Sequence, residues 1–95
     1  MAPIRRLVLD VLKPHDPPVT DLTERVADVD GVRGSNCTLV EIDRKVTNVK
    51  LTIEGDGIDE DGVTEVIEAH GGTVHSIDEV ACGEELIEAS KTPQD

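Results

Sequence analysis

The chain contains no phenylalanine, tyrosine or tryptophan, only two cysteines, and few basic residues for its length. Each shortage excludes something. Without aromatic rings there is no platform on which unpaired bases stack, the device of single-strand nucleic-acid binders. Nine Lys plus Arg stand against 21 Asp plus Glu, a formal net charge of −12 in 95 residues. That charge repels phosphate backbones and anionic lipid surfaces, so neither nucleic acid nor membrane is expected as a partner. No apolar run approaches the roughly 18 residues of a membrane-spanning helix. No basic segment followed by an apolar stretch marks a secretory leader. Two cysteines do not make a disulfide scaffold, and Cys37 and Cys82 read as free thiols of a reducing cytoplasm.

What the chain does have is aliphatic and periodic. Thirteen valines, seven isoleucines and seven leucines recur at regular spacings, which argues for a folded domain in spite of the charge. Its core must be thin, because an aliphatic side chain buries less area than an aromatic one. Oligomerisation is an ordinary remedy for a domain of this size. The acids are spread along the whole chain, and only four of the nine cations are lysine. This is the bias expected of a salt-loaded, extremely halophilic cytoplasm, where a Debye length of roughly 3 Å at molar salt screens the acids from one another. Any acidic site must therefore be weighed against plain solvent adaptation.

Ile4 to Leu12 alternates, with Leu7, Leu9 and Val11 on one face and Arg6, Val8 and Asp10 on the other, and reads as a strand. Lys13 to Pro18 breaks it. Asp16 is placed to cap a helix with Pro17 at its first position. Val19, Leu22, Val26 and Val29 then form a helical stripe that ends near Asp30-Gly31. Thr38 to Asp43 alternates again, with Val40 and Ile42 on one face and Leu39, Glu41 and Asp43 on the other. Arg44 to Val46 is short enough for a hairpin, and Thr47 to Glu54 turns Val49, Leu51 and Ile53 inward. Gly55 to Gly57 turns the chain. Asp59 is placed to cap a second helix, whose stripe is Val63, Val66 and Ile67 and which Gly71-Gly72 ends. Thr73 to Ala81 is a last strand of unclear phase. Glu84 to Ala89 reads as a short helix or an extension, and 90–95 as a frayed, flexible tail. The order βαββαβ predicts an α+β, ferredoxin-like sandwich over residues 1–89. A four-stranded antiparallel sheet, in spatial order four, one, three, two, carries both helices on one face.

Little in this pattern points to catalysis. His75, Ser76 and Asp78 have the residue types of a triad, but neighbours on a strand point to opposite faces, so His75 cannot serve Ser76. No nucleophile elbow, phosphate loop or dinucleotide fingerprint is present, and an enzyme is not expected. Gly57 to Glu68 matches a calcium-loop pattern at Asp59, Asp61, Gly62 and Glu68. Its first ligand is missing, though, a strand precedes it, and Val63 to Ile67 is needed as helix. Cys37, His70, His75 and Cys82 show no pairing at a metal-site spacing.

The sheet face without helices is more informative. It carries Asp10, Glu41, Asp43, Lys50, Thr52, Glu54 and Asp78. If two subunits met side by side, Asp10 and Asp78 of one could approach Glu41 and Asp43 of the next. Converging hard oxygens suit Ca²⁺. The second and fourth strands are edges with unpaired backbone groups. Pairing between copies there would bury more apolar area, with outward Leu39 and Val8 at the contact. Such head-to-tail pairing closes a ring or grows a filament.

Several segments together resemble one small archaeal family. They are Ile4–Pro14, Gly31-Val32-x-Gly34, Leu39–Asp43, Asn48–Gly55, Gly71-Gly72 and Ser76–Val80. The family is domain of unknown function 211, and the likeness spans about residues 2 to 89. The resemblance implies a compact ferredoxin-like subunit that assembles into multimers, with calcium among its ligands. The expectation is thus a non-enzymatic, cytoplasmic protein whose self-assembly is linked to Ca²⁺, with Asp10, Glu41, Asp43 and Asp78 as metal ligands. The alternative is an ACT-like regulatory module that binds a small metabolite at a subunit interface, entered through Gly31 to Gly34. A heavy-metal chaperone on the same topology would need CxxC where this chain has KPHDPP.

Overall fold

A computed structural model describes residues 2–90. Six elements follow in the order β1 (Ile4–Pro14), α1 (Val19–Ala27), β2 (Val32–Ile42), β3 (Val46–Gly55), α2 (Glu60–Ala69) and β4 (Thr73–Cys82). One antiparallel sheet has the order β2-β3-β1-β4, which is the ferredoxin-like α+β arrangement.

The alternation of β1 and β3 sets the core. Leu7, Leu9 and Val11 stand opposite Ile53, Leu51 and Val49, and all six are buried. Leu22 and Val26 of α1 and Val63 and Ile67 of α2 pack on them, with Ile58 closing one end. Both helices therefore lie on the same face. Ser35 of β2 donates to the Thr23 carbonyl of α1 at 2.8 Å, which seats α1 over this part of β2.

Several boundaries differ from the periodicity. β1 runs on to Pro14, since Lys13 and Pro14 still pair with Thr47 and Val46. Asp16 caps nothing: α1 starts at Val19, with extended Pro18 as its N-cap residue. Pro18 O accepts from Asp21 N and Leu22 N, and the acid that favours the positive end of the helix is Asp21 in its first turn. Asp59 does occupy the N-cap position of α2, but its side chain makes no capping hydrogen bond.

β2 begins six residues before Thr38. Ser35, Asn36 and Cys37 pair with Ile53, Thr52 and Leu51 without an apolar rhythm of their own. Val40 then bulges out, between the Leu39–Val49 and Glu41–Asn48 pairs, and reverses the phase. Leu39 thus stands opposite core-facing Val49 rather than facing outward, and Glu41 lies on the open face. The unclear phase of β4 has the same cause. Asp78 is the extra residue between the Val8–Glu79 and Leu9–Ile77 pairs, and His75 is the extra residue between Asp10–Ser76 and Val11–Val74.

Glu84 to Ala89 forms no helix. Gly83, at φ +114°, turns the chain and donates to Pro3 O at 2.9 Å. Arg5 then holds the Glu84 carbonyl at 2.6 Å. Of the expected tail, 91–95 lies outside the described residues.

Candidate functional site: the open face of the sheet

The even-numbered residues of β1 face away from the helices. Arg6 stands opposite Glu54 on β3, Val8 opposite Thr52 and Asp10 opposite Lys50. With Asp78 and Glu79 of β4, residues 6, 8, 50, 52 and 54 line a shallow depression of about 450 Å³. Val8 is buried in this face by its neighbours rather than presented outward.

Arg6 is the hub. Its Nε donates to Glu54 Oε2 and its Nη1 to Glu79 Oε2, both at 2.9 Å. Glu88 takes the open end of the fork, with Nη1 to Oε1 at 2.9 Å and Nη2 to Oε2 at 3.0 Å. This is the bidentate geometry that suits guanidinium and carboxylate. Glu88 first, then Glu79 and Glu54, push the Arg6 pKa still higher. Arg6 in turn holds the Glu88 carboxyl below its ordinary range. Sequence pattern alone singles out none of Arg6, Glu79 and Glu88 as a site residue. An arginine in the outward phase of a cation-poor chain is the available signal for the first, whereas Glu88 lies beyond the last regular element and carries none.

The four expected metal ligands are dispersed. Asp10 Oδ1 accepts a hydrogen bond from Asn48 Nδ2. Asp43 lies just past β2, and its Oδ1 accepts the backbone N–H groups of Lys45 at 2.9 Å and Val46 at 2.8 Å. Those bonds, Val46 first, hold its carboxyl below the ordinary value. Glu41 sits on the exposed β2 edge, two strands away from β1. Asp78 accepts from Ser76 Oγ at 2.7 Å on the other edge strand. Among the described residues, no three metal-ligating side chains converge within one copy.

The remaining reactive groups are separate. Burial pushes the Cys37 thiol up, away from the thiolate that a nucleophile requires. Ser76 donates to Asp78, and His75 is the residue of a bulge. Gly31, at φ +83°, packs on the Gly57 and Ile58 backbone so closely that a Cβ would lie 2.1 Å from Gly57 O. The Gly31 to Gly34 segment is thus a filled turn running into β2.

Comparison with known proteins adds two matches. The model of DUF211, described as Uncharacterized ArCR, matches residues 5–95. The chain belongs to the DUF211 family. It is similar to the uncharacterized protein MJ0319 of Methanocaldococcus jannaschii, 51% identical over 92 residues, which span 97% of this chain and 95% of that protein. Near-complete coverage on both sides makes this DUF211 domain nearly the whole of that archaeal relative. Among the described residues, no helix is long and apolar enough to cross a membrane.

Proposed function

We propose that this DUF211 protein is a self-assembling, non-enzymatic protein of the cytoplasm whose subunits join through the β2 and β4 edges of their sheets, with Ca²⁺ shared across the seam. The observation that carries the reading is the apolar surface on both edge strands. Leu39, Val40 and Ile42 on β2 are 57 to 60% exposed, and Ile77 and Val80 on β4 are about half exposed. An unpaired strand with apolar side chains is a template for another strand. Pairing β2 of one copy with β4 of the next is heterologous, so it makes a ring or a filament.

Calcium enters as the linked ion. Among its described residues a single copy gathers no three side chains that could hold a metal ion, so the ion would be held between copies. Glu41 stands on one edge strand and Asp78 on the other, and the β2–β4 contact is the one that brings them together. Asp43 would serve less directly, because its Oδ1 already accepts two backbone N–H groups within the copy, whereas Asp10 and Asp78 each accept a single side-chain hydrogen bond there. An ion bound only by the assembled form favours assembly by linkage. The remaining acids are read as solvent adaptation to a salt-loaded interior.

The test is particle size by light scattering in molar KCl, with Ca²⁺ titrated and Mg²⁺ as control. Growth with Ca²⁺ alone, reversed by a chelator and lost in Glu41→Gln/Asp78→Asn, is the expected result. Val40→Lys should block growth at any Ca²⁺ concentration. A size indifferent to Ca²⁺ would remove the ion from the reading, and a Val40→Lys variant that still assembles would remove the edge.

A further inference from the structure

Arg6 is held from three sides, and the three partners are not equivalent. Glu54 faces it across the β1–β3 ladder, and Glu79 reaches it from β4, opposite Val8. Both are carried on paired strands and come with the fold. Glu88 is different. It lies six residues past the end of β4 with no regular structure, and its side chain is 70% exposed, against 13% for Arg6. Yet it takes the bidentate end of the guanidinium, the strongest position Arg6 has to offer. Its neighbour Ile87, 68% exposed, adds little packing to hold the segment down.

We infer that the end of Arg6 and the adjoining depression form a receptor for a small monocarboxylate, and that the chain's own Glu88 fills it in cis as a displaceable stand-in. The depression beside Arg6 has a buried apolar floor at Val8 and a second cation at Lys50, which none of the ion pairs among the described residues includes. Charge decides the ligand class. Glu54, Glu79 and Asp78 are fixed around the site, so an incoming group must not add negative charge. Exchanging one carboxylate for another leaves the sum unchanged. A phosphate dianion would add to it and meet three carboxylates. The volume, about 450 Å³, admits a molecule of metabolite size. An exposed ion pair on an irregular stem is weak, so competition at high ligand concentration is enough to release Glu88.

This site adjoins the β4 edge proposed for assembly and shares Asp78 with it, but its test reads Arg6 directly and not particle size. Acetate is titrated against the full chain, wild type and Glu88→Gln, while the Arg6 side-chain resonances are followed by NMR. Glu88→Gln should bind acetate about two- to fivefold more tightly than wild type, because its receptor is already vacated. Inorganic phosphate at equal ionic strength should shift the same resonances less. Glu88→Ala repeats the measurement with the amide removed, and Arg6→Gln, followed at the backbone amides of Val8 and Lys50, should abolish saturation. Equal titration of wild type and both Glu88 variants, or Arg6 resonances that do not move with acetate, would overturn the inference. Saturation that appears only when a peptide of residues 83–95 is added to Glu88→Gln, and never with acetate, would also overturn it, since the groove would then read its own segment and not a free carboxylate.

Discussion

His70 joins the two helices: its Nε2 lies 2.7 Å from Asp21 Oδ2 on α1, while its Nδ1 lies 2.8 Å from Val66 O on its own helix. His70 is the C-cap residue of α2, and Asp21 is in the first turn of α1. Asp21 therefore puts its negative charge at the helix end where it is favoured.

His70→Gln should lower stability by about 1–3 kcal/mol, since the residue is only 8% exposed and two hydrogen bonds are lost. Asp21→Asn should cost only about 1 kcal/mol, because the aspartate is half-exposed and screened. The double variant should fall short of the sum. Urea denaturation of all four proteins gives the coupling directly, and strict additivity would mean that the contact does not join the helices energetically.

Lys13 is the largest fully buried side chain among the described residues, 1% exposed, and it is buried without a carboxylate. Its Nζ donates to Pro14 O at 2.6 Å and to Pro17 O, closing the loop between β1 and α1 over itself. Prolines cannot donate, so this loop is rich in carbonyls and short of N–H groups, and the ammonium supplies the missing donors. Lys13→Met keeps the volume and leaves two part-buried acceptors without their donor. It should destabilise by roughly 2–5 kcal/mol, read as a fall in urea midpoint with unchanged m-value. A midpoint within experimental error of wild type would show that water reaches these carbonyls.

The parts of the fold legible in the residues are those that alternate without interruption. β1 and β3 are the two central strands, and burial of one face leaves its period in Leu7, Leu9, Val11, Val49, Leu51 and Ile53. The edge strands obscure theirs. Residues 33–36 of β2 are polar or glycine, and the Val40 bulge reverses the phase just where the aliphatic residues resume. In β4, the bulges at His75 and Asp78 mix the two faces. The Asp78 bulge sets Asp10 opposite Ser76, where a ladder continued from Val8–Glu79 would have set it opposite Ile77. Arg6 and Glu88 are 82 positions apart and no periodicity joins them, so the hub of the open face lies beyond any local pattern.

The two glycines of the Gly31-Val32-Arg33-Gly34 run should answer very differently to alanine. Gly31 has φ +83° and stands against the Gly57 carbonyl, where backbone cannot step aside. Gly34 lies within β2, and an added methyl there would meet nothing within 4 Å. Gly31→Ala should therefore cost several kcal/mol or prevent folding, while Gly34→Ala should be neutral or stabilise by a few tenths of a kcal/mol. Thermal melts of the pair check this. Similar losses at both would mean that the run is held by something other than the turn.

The Asp43 carboxylate gives the β2–β3 hairpin an acid dependence whose sign follows from its two N–H donors. Its pKa in the folded protein lies below the ordinary 3.8, chiefly through Val46 N–H and then Lys45 N–H. A group depressed on folding contributes stability that is present above its unfolded pKa and is lost as pH falls through the folded value. Asp43→Asn keeps a neutral acceptor and removes only the charge, so it should match protonated Asp43. Asp43→Ala removes the acceptor at every pH. Urea midpoints should therefore order wild type above Asn above Ala at pH 7. In acid the wild-type and Asn curves should merge while Ala stays below both. The comparison is made at equal ionic strength, so that the repulsion among the other acids is common to all three. A wild-type advantage over Asn that survives below the folded pKa would assign the stabilisation to side-chain shape rather than to charge.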